Sequence, residues 1–433
     1  MVKPLSVYNC YEDNKSMLEQ SQRTKIEGFI TDHLEDYLDI LQQMVSINSF
    51  TTNGEGVIQL GEFTAQAFSR LGFEASFVPS IQPNFGNHLF LFHPADQNSK
   101  ASSLPSLALI SHLDTVFSPE EERANYFSWR REGNRIYGPG TIDIKGGTVM
   151  MLMVLETLQK FEPDLFNRIN WYLCLNASEE VLSLDFSQAC LQRLPQDTLA
   201  CLIFEAGNIE NDQFKLVVAR KGRAYFKIKS TGRSAHSGNA HQSGANAIVQ
   251  LAEFIPRIAS MTDYDHQITF NVGTIKGGSV VNRVPHYAEA EIEMRAFSPQ
   301  TFNSGVKQVL DLDGSSSVSS YDGFPCSINV EVLESTQPWP SNPATERLYQ
   351  HWQNTAKELG FEVIPEQRGG LSDGNLLWNY FPTLDGLGPA GDNAHCSEQD
   401  PQSGKEQEYV SIRSFIPKAV LNIASLVNLI SQR

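Results

Sequence analysis

The chain of 433 residues contains 50 acidic and 33 basic residues, so its formal net charge at pH 7 is -17. This length exceeds one ordinary hydrophobic core and predicts two globular domains. The acidic excess argues against a nucleic-acid or anionic-membrane partner, and we therefore expect a small substrate. The six cysteines lie far apart without Cys-x-x-Cys spacing, which favours a reducing cytoplasm.

The N-terminal residues 1–25 predict an extension outside the first domain. They are rich in charged side chains and lack the continuous apolar stretch of a secretory signal or transit peptide. The longest continuous apolar run, residues 149–155, is far shorter than the ~20 residues that a membrane-spanning helix needs. The sequence therefore predicts no membrane segment.

The next part of the chain has the pattern of an α/β domain. Apolar residues recur at helical spacing in residues 26–45 and 57–71, which predicts two amphipathic helices. Short apolar runs at 107–110, 169–175 and 199–204 are typical of strands buried on both faces. Helical patterns separate these runs, so we expect a mainly parallel sheet in a catalytic domain whose first part is formed by residues 26–221.

A second domain is predicted after residue 221, where the pattern changes to the alternation of a half-exposed strand. The predicted strands are residues 223–230, 267–272, 287–297 and 327–333. The predicted helices are residues 244–258, with Ser243 as N-cap, which follow the first strand, and residues 299–310, which precede the last. This order is that of a βαββαβ, ferredoxin-like layer. Residues 222–335 are thus expected to form an insertion, and residues 336–433 to return to the catalytic domain.

Acidic and imidazole side chains follow the predicted strands, and ligands of open α/β sheets gather outside the carboxyl ends of strands. Imidazole and carboxylate without thiolate is the ligand set of a hydrolytic zinc site, in which the metal keeps an open position for water. The candidate metal ligands are His112, Asp143, Glu180, Glu205 and His395. The pattern predicts a two-metal hydrolase.

Asp143 lies in a glycine-rich loop that could be mistaken for a phosphate-binding loop. In the Walker pattern the lysine follows the second glycine, whereas here Lys145 precedes Gly146, so the nucleotide interpretation fails. A carboxylate can bridge two cations through its two oxygens, and we assign this role to Asp143. The alternative is an aspartate that only forms a turn.

The adjacent Glu179 and Glu180 would repel each other unless a cation or proton relieved them. We expect Glu180 to bind metal and Glu179 to act as general base and then general acid. Asp114 stands two residues after His112 and is expected to orient its imidazole ring. The alternatives without function are that Glu179 and Glu180 are solvated acids in a loop and that His395 is an imidazole on the surface.

These motifs resemble those of the zinc metallopeptidase family that contains glutamate carboxypeptidases, aminoacylases, acetylornithine deacetylase and succinyl-diaminopimelate desuccinylase. The resemblance spans residues 26–430 and is strongest to the glutamate-carboxypeptidase branch. It implies two zinc ions per chain, bridged by Asp143, with His112 and Glu180 or Glu205 on separate ions and His395 completing the shell. Cobalt or manganese could replace zinc. The segment after His395, through residues 402–405, is longer than in close relatives.

The resemblance also assigns roles to the inserted domain, which in the family is a lid that usually dimerises. His236, in the motif Gly-Arg-Ser-Ala-His-Ser-Gly, matches a lid histidine that reaches the partner subunit's site and polarises the scissile carbonyl. Asn282, Arg295 and Gly370 match substrate-binding positions, and a guanidinium suits a substrate carboxylate because it binds both oxygens. We therefore expect a homodimer formed through the inserted domain.

The resemblance implies hydrolysis of the amide bond next to a C-terminal amino acid, in a small peptide or an N-acyl amino acid. Carboxypeptidases and deacylases of the family tend to carry glutamate at the position of Glu205, whereas aminopeptidases tend to carry aspartate. Two alternatives stay open, an N-acyl amino acid deacylase and a non-catalytic binding homologue.

Overall fold

The computed structural model describes residues 20–96, 104–210, 213–400 and 402–432. A six-stranded sheet forms its centre, with strands in the order Glu74–Pro79, Asn87–His93, Asn170–Asn176, Ser106–His112, Ala200–Ile203 and Thr383–Leu384. The last four strands are mutually parallel, which confirms the mainly parallel sheet. Asn87–His93 is antiparallel to both of its neighbours, and this antiparallel edge was not predicted.

The strand Ser106–His112 is buried on both faces, as its continuous apolar sequence predicts. Leu107 and Leu109 belong to the larger core, which includes the helix Lys145–Phe161. Ala108 and Ile110 belong to a smaller core on the opposite face. The strand that ends at His112 is therefore fixed from two sides.

Most of the helices pack around this sheet. In chain order they are Gln20–Asp32, Leu34–Val45, Gly54–Ser69, Pro119–Ala124, Lys145–Phe161, Pro163–Phe166, Leu184–Arg193, Pro343–Leu359, Gly374–Leu377 and Phe415–Ser431. The single helical pattern at 26–45 is divided into two helices at His33. Of the predicted N-terminal extension, residues 1–19 lie outside the described residues, and residues 20–25 already belong to the first helix.

The C-terminal helix is long and apolar. By length and composition alone, the segment Ile412–Ser431 could cross a membrane, although it contains no long continuous apolar run that would mark it in the sequence. However, 72% of its most apolar window is buried in the fold. The helix Phe415–Ser431 packs against Pro343–Leu359 and Lys145–Phe161, as the core helix of a globular protein does.

The inserted region forms a separate four-stranded antiparallel sheet. Its strands lie in the order Thr269–Gly277, Tyr287–Ala296, Gly222–Thr231 and Ser327–Thr336. Two helices, Ala247–Ala259 and Pro299–Leu310, complete the βαββαβ order and share its core, which confirms the ferredoxin-like layer. Ser243 was wrongly predicted as the N-cap of the first helix, because the side chain of Asn246 accepts the amide hydrogens of Ile248 and Val249.

Three small sheets support the connections between these parts. Gln213–Arg220 pairs with Asn208–Glu210 and with Glu362–Arg368, a strand from after the insertion. The other two sheets consist of Gly391–Asp392, Tyr409–Ser411, Arg135–Tyr137 and Arg130–Glu132, and of Ala235–His236 with Arg283–Val284. The C-terminal part of the chain is thus built into the catalytic domain through strand pairing.

A close approach between a helix and a strand end requires glycine at position 147. A Cβ atom on Gly147 would lie 1.9 Å from the carbonyl oxygen of Phe204, the residue before Glu205. No side chain fits at that distance, so any larger residue would push the helix Lys145–Phe161 away from the strand Ala200–Ile203.

We expect Gly147→Ala to lower the free energy of unfolding by roughly 1–3 kcal/mol or more, because the added methyl group overpacks this contact. Gly28→Ala is the control, since Gly28 also lies in a helix but has open space around its Cβ position. The control should raise stability by up to about 1 kcal/mol, because alanine favours the helix. Urea unfolding of both variants tests this, and equal midpoints would contradict it.

Candidate active site and metal centre

Three neighbouring parallel strands deliver acidic and imidazole side chains to one edge of the central sheet. His112 is the last residue of its strand. Glu179 and Glu180 begin a single 3-10 turn soon after the strand Asn170–Asn176, and Glu205 follows the strand Ala200–Ile203. The carboxyl ends of parallel strands meet at the same edge, so residues far apart in sequence come together here.

The carboxylate of Asp143 lies between two imidazoles. Its Oδ1 atom is 3.0 Å from Nε2 of His112, and its Oδ2 atom is 3.1 Å from Nε2 of His395. The two oxygens of one carboxylate thus face two separate imidazole nitrogens. This is the geometry through which a carboxylate can bridge two cations.

The Nε2 atom of each imidazole has one further carboxylate beside it. Nε2 of His112 is 3.7 Å from Oε1 of Glu205, and Nε2 of His395 is 3.1 Å from Oε2 of Glu180. The candidate ligands therefore divide into two sets that share Asp143. One set is His112, Asp143 and Glu205, and the other is His395, Asp143 and Glu180.

The donor atoms of this cluster fit a divalent cation. Atoms of His112, Asp143 and Glu180 lie within 4.8 Å of one another. Oε1 of Glu180 is buried and finds no hydrogen-bond partner among the described residues, which is costly for a carboxylate oxygen unless a cation or proton meets it. Imidazole nitrogens and carboxylate oxygens without thiolate suit a catalytic zinc ion.

The side chains of the cluster shift one another's pKa values, because burial and hydrogen bonds decide which of them carry a proton. Hydrogen bonds to Asp143 and Glu180 raise the pKa of His395 to about 11. Burial, with the nearby charge of Asp143, raises the pKa of Glu205 to about 8 and that of Glu180 to about 7. Burial opposes ionisation of Asp143, but the hydrogen bonds from His112 and His395 outweigh it and lower its pKa.

Asp114 connects the two strand ends that carry His112 and the glutamates. Its carboxylate accepts the amide hydrogens of Glu179 and Glu180 over 3.0 and 3.3 Å, and the hydroxyl of Thr51 over 2.8 Å. Nδ1 of His112 lies 2.9 Å from the backbone oxygen of Asp114 and 3.4 Å from its Oδ1 atom. The backbone oxygen is thus the nearer partner of the ring, and the carboxylate mainly fixes the glutamate turn.

Glu179, the predicted general base, lies within this cluster. Burial and the neighbouring carboxylates of Glu205 and Glu180 raise the pKa of Glu179 well above its usual value, although His112 opposes them. A carboxyl group with a raised pKa can both accept and return a proton near neutral pH, which is what a general base and acid needs.

The lid residues His236 and Asn282 lie beside each other but apart from this cluster. His236 pairs with Arg283 in a two-stranded ribbon, and the backbone oxygen of Asn282 accepts the amide hydrogen of Ser237. Both side chains are exposed. Within the described part of the chain, no hydrogen bond or ion pair joins His236 to the candidate metal ligands.

Arg295 and Gly370 lie at a glycine turn beside the boundary between the catalytic domain and the inserted domain. Nη1 of Arg295 donates to the backbone oxygen of Gly369 over 2.6 Å, and its Nε donates to Glu293. The backbone oxygen of Gly370 accepts from Nη1 of Arg220 over 3.1 Å. Two guanidinium groups, Arg295 of the inserted domain and Arg220 at the domain boundary, thus hold the same turn.

Sequence reasoning missed several buried residues that support the site. Arg220 lies next to the predicted domain boundary after residue 221, and its guanidinium pairs with buried Asp385 over 2.7 Å. The carboxylate of Asp373, three residues after the predicted substrate-binding Gly370, accepts a hydrogen bond from Asn176 over 2.8 Å. Oε1 of Glu408 accepts the amide hydrogens of Ile142 and Asp143 over 3.1 and 3.4 Å. No local pattern marks Glu408, because its role depends on a contact across 265 positions.

Fold and cluster together define a hydrolytic enzyme of mixed α/β architecture with a candidate metal site. The model of Peptidase family M20/M25/M40 matches residues 108–413, and the chain belongs to this metal-dependent family. This confirms the resemblance inferred from the motifs.

Known relatives within this family include peptidases and a deacetylase. Carboxypeptidase G2 of Pseudomonas sp. (strain RS-16) is 25% identical over 399 residues, which are 92% of this chain and 90% of that protein. Acetylornithine deacetylase of Edwardsiella ictaluri (strain 93-146) is 26% identical over 286 residues, which are 62% of this chain and 70% of that protein. The crystal structure of aminopeptidase PepT from Bacillus cereus ATCC 10987 shares the fold, with a TM-score of 0.69 and 18% identity over 92% of this chain and 98% of that one.

We expect zinc binding at pH 7 to release protons. The pKa of His395, raised to about 11, keeps its imidazole protonated at pH 7 in the metal-free protein, and a metal ligand must be neutral. Apparent zinc affinity should therefore weaken as the pH falls. Titration calorimetry in buffers of different ionisation enthalpy measures the number of protons released.

His395→Ala should release fewer protons per zinc bound than the wild-type protein. His266→Ala is the matched control, because its imidazole also pairs with a carboxylate, Asp263, but belongs to the inserted domain and is exposed. The control should leave the proton count unchanged. A wild-type count of zero would contradict the predicted protonation of the cluster.

Proposed function

We propose that this protein is a dinuclear zinc hydrolase that cleaves the amide bond of a C-terminal amino acid in small peptides or N-acyl amino acids. The observation that carries the proposal is the carboxylate of Asp143, whose two oxygens face the imidazoles of His112 and His395 at 3.0 and 3.1 Å. One ion would be held by His112, Asp143 and Glu205, and the other by His395, Asp143 and Glu180. Cobalt or manganese could serve in place of zinc.

When bound, the ions supply Lewis acidity that activates a water molecule and polarises the scissile carbonyl. Glu179 then takes a proton from the attacking water as the new carbon–oxygen bond forms. As the carbon–nitrogen bond breaks, Glu179 returns that proton to the leaving nitrogen. Asp114 holds the amide groups of Glu179 and Glu180, so it keeps the base and the adjacent ligand in fixed positions.

Substrate binding is proposed for the region between the catalytic domain and the lid. Asn282, Arg295 and the turn at Gly370 would bind the substrate, with Arg295 exchanging its contact with Glu293 for the substrate carboxylate. In this proposal residues 222–335 form the lid between the two parts of the catalytic domain, residues 26–221 and 336–433. The five cysteines in the described part of the chain are unpaired, which supports a cytoplasmic location.

An N-acyl amino acid deacylase is the second candidate, and the similarity to acetylornithine deacetylase favours it. The same residues would carry out both reactions, since each breaks an amide bond. A non-catalytic homologue is the third, but such a chain would be expected to have lost the base or a ligand, and all of these residues are present. Hydrolysis assays with dipeptides and N-acyl amino acids separate the three.

We expect Glu179→Gln to keep its zinc but to lose at least about two orders of magnitude in kcat, because the ligands remain while the proton carrier is removed. Glu180→Gln is the matched control from the neighbouring position, and it should instead lower the zinc content. Metal analysis and turnover, measured on the same samples, distinguish the two roles. Wild-type turnover in Glu179→Gln would exclude it as the base.

A homodimer through the inserted domain is also proposed. Nδ1 of His236 accepts the amide hydrogens of Gly238 and Asn239, so its proton lies on Nε2, which is then available to donate to a carbonyl oxygen. Apolar side chains of the lid are exposed on the helix Ala247–Ala259 and on the edge strand Thr269–Gly277, at Ile248, Val249 and Ile275. Their burial between two lids would bring the His236 of each chain towards the other site.

If each active site uses His236 of the partner subunit, His236→Ala should be inactive by itself. Co-refolding it with Glu179→Gln should restore about a quarter of the wild-type activity, since half of the dimers are mixed and each contains one complete site. Activity of the co-refolded mixture tests this. An inactive mixture that still contains mixed dimers would show that His236 does not act across the interface.

A further inference from the structure

Apolar side chains are exposed directly beside the catalytic turn. Val181 follows Glu180 in the 3-10 turn Glu179–Val181 and is 46% exposed. Leu184, which begins the next helix, is 54% exposed. Single exposed apolar residues are ordinary on a protein surface, but these two stand within five positions of the proposed base.

Asp185 holds a third exposed apolar side chain, that of Ile81, close to Leu184. The carboxylate of Asp185 accepts the amide hydrogen of Ile81 over 2.8 Å and the hydroxyl of Ser80 over 2.9 Å. It also contacts Nε2 of buried His88 at 3.1 Å. These contacts fix the loop of Ile81 next to Leu184, although the side chain of Ile81 is 76% exposed.

The backbone between Val181 and Leu184 adopts a conformation that leucine rarely takes. Leu182 has a φ angle of +64°, in the left-handed region that is unfavourable for a branched side chain. Such strain persists where the surrounding structure fixes it, and it concentrates at functional sites. Here Asp114 holds the start of the turn, and the hydroxyl of Ser183 donates to Asp185 over 2.8 Å.

We infer that Ile81, Val181 and Leu184 form an apolar rim that binds the hydrocarbon part of the substrate's acyl group. This inference rests on the proposed function, because it places the scissile bond at the metal cluster. A hydrocarbon chain attached to the carbonyl would leave the cluster beside Val181 and cover the rim. Burying both apolar surfaces together is favourable.

The charge of the rim selects against acyl groups that end in a carboxylate. Asp185 follows Leu184 directly and accepts the hydroxyl of Ser80 and the amide hydrogen of Ile81, so an acid stands within the rim. A succinyl-type acyl group would add a second carboxylate beside Asp185, where like charges repel. The rim therefore specifies an N-acyl amino acid with an uncharged, apolar acyl chain.

Binding can be measured without turnover in the zinc-loaded Glu179→Gln protein. By titration calorimetry, N-octanoyl-L-alanine should bind at least about tenfold more tightly than N-acetyl-L-alanine, because the added methylene groups are removed from water. N-succinyl-L-alanine should bind most weakly. If the octanoyl compound binds no more tightly than the acetyl compound, the inference is wrong.

Substitutions in the rim localise the effect. Val181→Ser with Leu184→Ser, made in the Glu179→Gln protein, should reduce the octanoyl preference to less than about threefold with unchanged zinc content. The matched control is Val332→Ser with Leu333→Ser, because these residues are 39% and 49% exposed on a strand of the inserted domain. The control should retain the preference. A preference that survives the rim substitutions would place the acyl site elsewhere.

If the double variant loses its fold or its zinc, Ile81→Ser in the adjacent loop tests the same rim and should weaken octanoyl binding by itself. Hydrolysis by the wild-type enzyme is measured separately with both compounds. Failure to hydrolyse either one would contradict the proposed function, whereas the calorimetric ratio alone decides whether the rim binds acyl chains.

Discussion

The site depends on one carboxylate, that of Asp143, held between two imidazoles while several other acids crowd the same edge of the sheet. Glu179, Glu180 and Glu205 cannot all ionise there without positive charge nearby, and the raised pKa values of these groups express that conflict. Two divalent cations would resolve it. The fold therefore accumulates negative charge at one point, which is destabilising for a metal-free protein and favourable for metal binding.

Support for this arrangement comes from parts of the chain that are distant in sequence. The loop of Asp143 donates the amide hydrogen of Ile142 to Oε1 of Glu408. The second carboxylate oxygen of Glu408 is buried and has no hydrogen-bond partner in the part of the chain that the structure describes. At the domain boundary, the backbone of Arg220 exchanges hydrogen bonds with that of Trp339, and its guanidinium pairs with Asp385. The guanidinium of Arg220 also donates to the backbone oxygen of Gly370, so one residue connects the domain boundary with the glycine turn.

Local sequence patterns were sufficient for much of the fold. The helix Pro299–Leu310 begins and ends where its apolar spacing predicts, with Ser298 as its N-cap. The three buried strands were found from continuous apolar runs, and their ends marked the candidate ligands. The strand Glu74–Pro79 escaped prediction because it is largely exposed and lacks an apolar run. Glu408 and Arg220 escaped because their contacts join positions far apart in sequence, which no local periodicity records.

The proposed metal ligands and the proposed substrate-binding rim lie in different parts of the structure. Four of the candidate ligands, His112, Asp143, Glu180 and Glu205, stand close to the ends of buried strands and helices, where packing on two faces leaves little freedom. The apolar rim belongs to a loop and a strained turn at the surface, where substitutions cost little stability. Amide hydrolases with one common metal site can therefore diverge in substrate by changing residues such as Ile81 and Leu184. The polar contacts that hold the rim, through Asp185 and Asp114, keep it in a fixed position relative to the proposed base, so a change of acyl preference need not disturb the proton transfer.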